Sequence, residues 1–134
     1  MRHSILLTTV ARILFPFVIL FGFYVILNGS LSPGGGFQGG AILATGILTT
    51  FFARPSHSLN ASKLIKIEKY LFLSLVLLVV AGFFLGGNLF MNPARSPLIP
   101  LELNTYLIFL NLILGMKVTL GLTAIVCVFF EEGE

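Results

Sequence analysis

Four continuously apolar runs, parted by short polar or Pro/Gly-rich connections, constrain this chain more than any other feature. An α-helix needs about 20 apolar residues to cross the hydrocarbon of a bilayer. The runs lie at about 10–28, 36–53, 70–90 and 106–130. They do not alternate, so they lack the period of two that a membrane β-barrel requires. Of the 134 residues 57% are hydrophobic and 10% charged, whereas a soluble domain carries about 25% charge. The expected fold class is an all-α integral membrane protein with four transmembrane helices. Residues 1–134 form a single membrane domain, because no connection could hold a soluble one.

The first run follows Arg2 and His3 and so superficially resembles a signal peptide, but it is long and no small-residue cleavage site follows it. It is expected to be a spanning helix. With the N-terminus in the cytoplasm, the inner side receives Arg2, Arg12, Arg54, Lys63, Lys66 and Lys69, and the outer side only Arg95. The positive-inside rule then places both termini in the cytoplasm; the acidic tail of Glu131, Glu132 and Glu134 does not count against this. Tyr24, Tyr70 and Tyr106 fall near run ends, where amphipathic rings favour headgroups.

Pro16 is expected in the first turns of helix 1, or else at a kink. Residues 54–69 form the one long inner loop. Ser62 could cap an interfacial helix there that leads into helix 3, with its lysines toward anionic lipid and His57 solvated. Residues 91–105 carry three prolines and predict an extended outer loop holding Arg95 and Glu102. Cys127 lies in an apolar run and reads as a small hydrophobe.

Residues 32–40 read Ser-Pro-Gly-Gly-Gly-Phe-Gln-Gly-Gly. Gly34, Gly36 and Gly39 match G-x-G-x-x-G in form only. A dinucleotide site needs a preceding strand and an acid about 20 residues on, whereas here a membrane helix precedes and position 54 is Arg. Pro33 with the triple glycine instead allows backbone that side chains forbid. Gly36, Gly40 and Ala44 recur every four residues, a small-residue face for close helix approach. The expectation is that this face docks into a larger assembly; packing within the chain is the alternative.

The run from Leu31 to Gly40, with its Pro33-Gly34-Gly35-Gly36-Phe37 centre, follows an apolar helix that contains a Pro. With the length, the four-helix plan and Gly115-Met116-Lys117-Val118 in the last run, it resembles the B subunits of the Mrp (also called Mnh) multisubunit cation/proton antiporters. The resemblance covers essentially the whole chain. It implies other subunits of an Mrp-type complex as partners. Related subunits also occur in membrane-bound hydrogenases and other redox-driven ion pumps.

Lys117 lies near the middle of the last run. A lysine there costs about 2.5–3.5 kcal/mol on insertion scales, and its stem cannot reach either interface. The fifteen Leu, Ile, Val and Phe residues of the run still insert it comfortably. Lys117, Gly121 and Ala124 share a helix face. No Asp or Glu falls within the four runs, so a counter-charge is expected from another polypeptide or from water. Two readings stand: an ion-path or interface lysine, and a structural lysine held by carbonyls and water. Asn111 lies about 240° around the helix from Lys117 and reads as interhelical glue.

The expected function is an accessory subunit of a sodium/proton antiporter, located in a prokaryotic cell membrane, that helps form the ion path and hold the complex together. It is a transporter subunit and not an enzyme. Lys117, Gly121, Pro33, Gly34, Gly35, Gly36, Phe37 and Gly40 are the candidate ion-path or interface residues. The alternatives are the matching subunit of a redox-driven pump and a free-standing small transporter or structural membrane protein. No metal, nucleotide or redox cofactor and no nucleic-acid partner is expected; membrane lipid is.

Overall fold

The computed structural model describes residues 4–31, 34–54, 59–86 and 103–133. They form α1 (Ile5–Leu27), α2 (Gly36–Ala53), α3 (Ala61–Gly86) and α4 (Leu103–Glu132), with no strand among the described residues. All four helices are long and apolar enough to span a membrane. The all-α, four-helix class is therefore what the chain adopts.

Two helices begin more than a turn earlier than the apolar runs indicate. The Ser4 hydroxyl accepts a hydrogen bond from the Leu7 amide at 3.4 Å and starts α1 at Ile5. Pro16 consequently stands in mid-helix rather than in the first turns. In the same way, Asn60 Oδ1 accepts the Lys63 amide at 3.3 Å, taking the capping role expected of Ser62, and α3 starts at Ala61. The basic stretch before Tyr70 is thus the opening of the spanning helix itself and not a separate interfacial helix. His57, Arg95 and Glu102 lie outside the described residues, as do all of 87–102.

α2 packs between α1 and α4, and α3 packs against α4. The Thr8 hydroxyl at the start of α1 donates to the Ala53 carbonyl at the end of α2 at 3.1 Å, so these two run antiparallel. The Phe52 and Phe130 rings meet at 4.7 Å, bringing the ends of α2 and α4 together. The beginning of α1 and the end of α4 therefore share one end of the bundle.

The core sits where α1, α2 and α4 meet. Ile26 is fully buried and fills the space left by Gly39 and Gly115, which have no side chains. Cys127, 1% exposed, packs as a small apolar residue. Thr119 and Thr123 are buried but satisfied. Thr119 Oγ1 shares its proton between the Gly115 carbonyl at 2.7 Å and the Gly40 carbonyl at 3.1 Å, and Thr123 donates to Thr119 O at 2.7 Å. Hydrocarbon offers no hydrogen bonds, so a spanning bundle has to satisfy such groups internally. Large apolar side chains such as Leu6, Leu20, Phe84 and Phe129 cover the outside, the surface that lipid or other protein faces.

Candidate functional site

Lys117 stands fourteen residues after Leu103 and fifteen before Glu132, about 21 Å along the axis from the nearer end of α4. Its Nζ lies 2.8 Å from Glu68 Oε1 on α3, and each side chain is 26% exposed. The ammonium also sits 5.3 Å from the centre of the Phe72 ring. Phe72 is one helical turn beyond Glu68, on the same face of α3, so one stripe supplies both an anion and an aromatic face to the cation.

This pair overturns the expectation that the chain carries no acid in its spans and must borrow a counter-charge. Because Asn60 caps α3 at Ala61, the span runs Ala61–Phe84 and takes in Glu68. Pairing reduces the cost of holding either charge in a low-dielectric surrounding. A signal was present in the sequence: Ile65, Glu68 and Phe72 are spaced i, i+3, i+7, which sets the acid in an apolar helical stripe.

Gly121 lies one turn beyond Lys117. A Cβ there would meet nothing nearer than Glu68 Cγ at 3.8 Å, so the absent side chain leaves open space beside the carboxylate. That space belongs to a cleft of ≈ 460 Å³ between α3 and α4. Lys117, Gly121 and Glu68, an acid that lies outside the apolar runs, thus come together.

The glycine-rich residues form a second, separate locus. Gly34 and Gly35 adopt φ of 133° and 132°, backbone that side chains rarely tolerate, and they lead the chain into α2. Gly36 and Gly40 lie against α4: a Cβ on Gly36 would stand 2.7 Å from the Asn111 carbonyl, and one on Gly40 2.6 Å from the Gly115 carbonyl. The Gly36–Gly40 face is therefore spent on helix packing inside the chain, and the expectation that it docks into a larger assembly is corrected. Phe37 points away and is 62% exposed. Pro33 lies outside the described residues. Asn111 faces the glycine locus and Lys117 faces α3, so the two do not share a site. No cluster of His, Cys, Asp and Glu able to hold a metal occurs among the described residues.

Residues 6–124 match the family model described as a domain related to the MnhB subunit of Na+/H+ antiporter. The chain is 34% identical over 119 residues to an uncharacterized protein of Methanocaldococcus jannaschii, an alignment covering 79% of this chain and 44% of that protein. It is 32% identical over 76 residues to a Staphylococcus haemolyticus protein that carries the antiporter-subunit name mnhB2, covering 57% of this chain and 54% of the relative. A Staphylococcus saprophyticus protein of the same name is 39% identical over 52 residues, 39% of this chain and 37% of that one. The chain spans about half the length, or less, of these curated relatives. No solved structure matches it significantly.

Proposed function

We propose, because this chain belongs to the family of domains related to the MnhB subunit of Na+/H+ antiporter, that it is an accessory membrane subunit of a multisubunit sodium/proton antiporter. Its partners are the other subunits of that complex, and its place is a prokaryotic cell membrane with both termini in the cytoplasm. It is a secondary-transporter subunit with no catalytic reaction of its own.

The observation that supports a part in ion movement is the Lys117–Glu68 pair at 2.8 Å between two membrane-spanning helices. Ionisable residues in such positions are expensive and mark ion and proton pathways. Such pathways string several groups together, and one pair does not make a complete route. The chain therefore supplies one element of a path that continues in larger subunits.

The test is deletion and complementation. Sodium-dependent proton flux in inverted vesicles should vanish without the chain and return with it. The tagged chain, extracted in mild detergent, should bring further membrane subunits with it. Recovery as a lone oligomer would remove the assembly reading. Iron–sulfur or hydrogenase subunits in the preparation would move the assignment to a redox-driven pump.

A further inference from the structure

The cleft beside the ion pair has a shape that the pair alone does not need. α3 contributes Ile65 and Glu68 to its walls, and α4 contributes Gly121, Ala124, Ile125, Val128 and Phe129, the last of which also lies on the outer surface of the bundle. It continues to Glu132, the last residue of α4. From Gly121 to Glu132 is eleven residues, a rise of about 16 Å. One end therefore opens at a charged helix terminus and the other reaches a charged pair inside the span.

Its walls between those ends are apolar, and an apolar cavity on its own stays dry. Two observations favour water here. A carboxylate stands at each end to anchor it, and the ≈ 460 Å³ volume holds on the order of 15 waters at about 30 Å³ each. The inner end stays open because position 121 is glycine, with Glu68 Cγ the nearest atom to a Cβ at 3.8 Å. Glu68 itself lines the cleft.

We infer that this cleft is a water-filled inlet through which protons reach the Glu68 carboxylate from the end of the bundle that carries Glu132. The inference rests on the reading of the chain as a subunit of a proton-exchanging complex. The step is a simple transfer: a hydronium in the cleft gives its proton to a Glu68 carboxylate oxygen, forming one O–H bond and leaving water. Glu68 becomes neutral and its ion pair with Lys117 is lost. The ammonium keeps the Phe72 ring and gains a free donor for an acceptor on a neighbouring subunit. The charged groups that face Glu68 are Lys117 at 2.8 Å and Glu132 along the cleft, both from α4, the helix on which α3 packs.

The experiment uses the assembled complex in membrane vesicles of both orientations. Cys127→Ala gives a background without native thiol, to which Ile125→Cys, Val128→Cys or Leu73→Cys is added. Leu73 is 51% exposed and lies about 140° around α3 from Glu68, off the cleft. A membrane-impermeant, charged thiol reagent should label the Ile125 and Val128 variants from the membrane face that carries Glu132, and leave the Leu73 variant unlabelled. Labelling is scored on the intact complex band in native electrophoresis, so a misfolded variant does not enter the result. Ile125→Cys and Val128→Cys as unreactive as Leu73→Cys would mean a dry cleft, filled by lipid or a partner helix, and would overturn the inlet. Glu68→Gln should keep the labelling pattern while proton flux falls to that of membranes lacking the chain; unchanged flux would overturn Glu68 as the acceptor. If wild-type membranes show no sodium-dependent proton flux, the functional reading fails, yet the labelling contrast still decides whether the inlet exists.

Discussion

The Asn111 side chain caps a helix to which it does not belong: its Oδ1 accepts the Gly36 amide, the first of α2, at 3.3 Å. Gly35, at the N-cap position, has no side chain with which to do this. The first amides of any helix have no partner within it, and Gly36 is buried among protein atoms. The glycines that let the chain turn into α2 thus create a need that α4 meets. Gly29 and Gly35 leave the room for the amide, since a Cβ at Gly29 would stand 2.9 Å from Asn111 Nδ2 and one at Gly35 3.3 Å from Oδ1.

Replacing Asn111 with Leu keeps the branched outline at Cγ, in a somewhat larger side chain, and removes the acceptor. Interhelical hydrogen bonds in membranes average about 0.6 kcal/mol and reach about 1.7, so the loss should be modest and concentrated at the start of α2. Thermal unfolding of the purified protein should shift down while insertion is retained. An unshifted melting curve would show that the contact contributes nothing.

Gly40 and Gly121 should respond oppositely to the same added methyl. At Gly40 the Cβ would stand 2.6 Å from the Gly115 carbonyl and 2.8 Å from Val118 Cβ, and backbone cannot swing aside as a side-chain tip can. Gly40→Ala should part α2 from α4 and strain the Thr119 bridge to the Gly40 carbonyl, with an overpacking cost of about 1–3 kcal/mol. Gly121→Ala meets an atom only at 3.8 Å and should fold normally. Equal thermal stability of the two variants would contradict this helix packing.

The four helices were legible because length and continuous apolarity are read directly from the chain. The helix starts were not, because a cap is a single polar residue outside the apolar run. Asn60 and Ser4 each extend a helix by more than a turn: α3 gains the lysine-bearing stretch before Tyr70, and α1 gains Ile5, Leu6, Leu7 and two threonines. The start of α3 matters most: the apolar run alone begins at Tyr70 and leaves Glu68 in a loop and Lys117 without an acid. The small-residue face of Gly36 and Gly40 was legible, and its partner was not. Spacing shows that something approaches closely, and only coordinates show that it is Gly115 of the same chain.

Sidedness rests on the distribution of basic residues and is directly testable. A cysteine at Ser58, in a Cys127→Ala background, should be shielded from an impermeant thiol reagent outside intact cells. One at Ser96 should be labelled. The structure sets the first residues of α1 at the same end of the bundle as the last of α4, so a tag on either terminus should be protected along with Ser58. Labelling of Ser58→Cys but not Ser96→Cys would invert the orientation and place the opening of the cleft at Glu132 on the outer face.

The Lys117–Glu68 pair should be energetically coupled, and a double-mutant cycle measures the coupling. Lys117→Ala leaves the Glu68 carboxylate within a span without its partner. Removing one member of a fully buried pair costs about 3–5 kcal/mol; here both side chains are 26% exposed, so the cost should be smaller. Adding Glu68→Ala to Lys117→Ala removes the stranded charge and should recover part of the lost stability. Coupling of residues in contact runs to about 0.5–3 kcal/mol. Lys117→Arg should rescue poorly, because a planar fork cannot sit as a compact ammonium does between Glu68 and the Phe72 ring. The cycle is read twice, in thermal unfolding and in sodium-dependent proton flux. Stability should recover in the double variant and flux should not, since an apolar pair packs but cannot carry charge. Stability losses that simply add would show that the two residues do not interact. Recovery of flux together with stability would make the pair a structural tie.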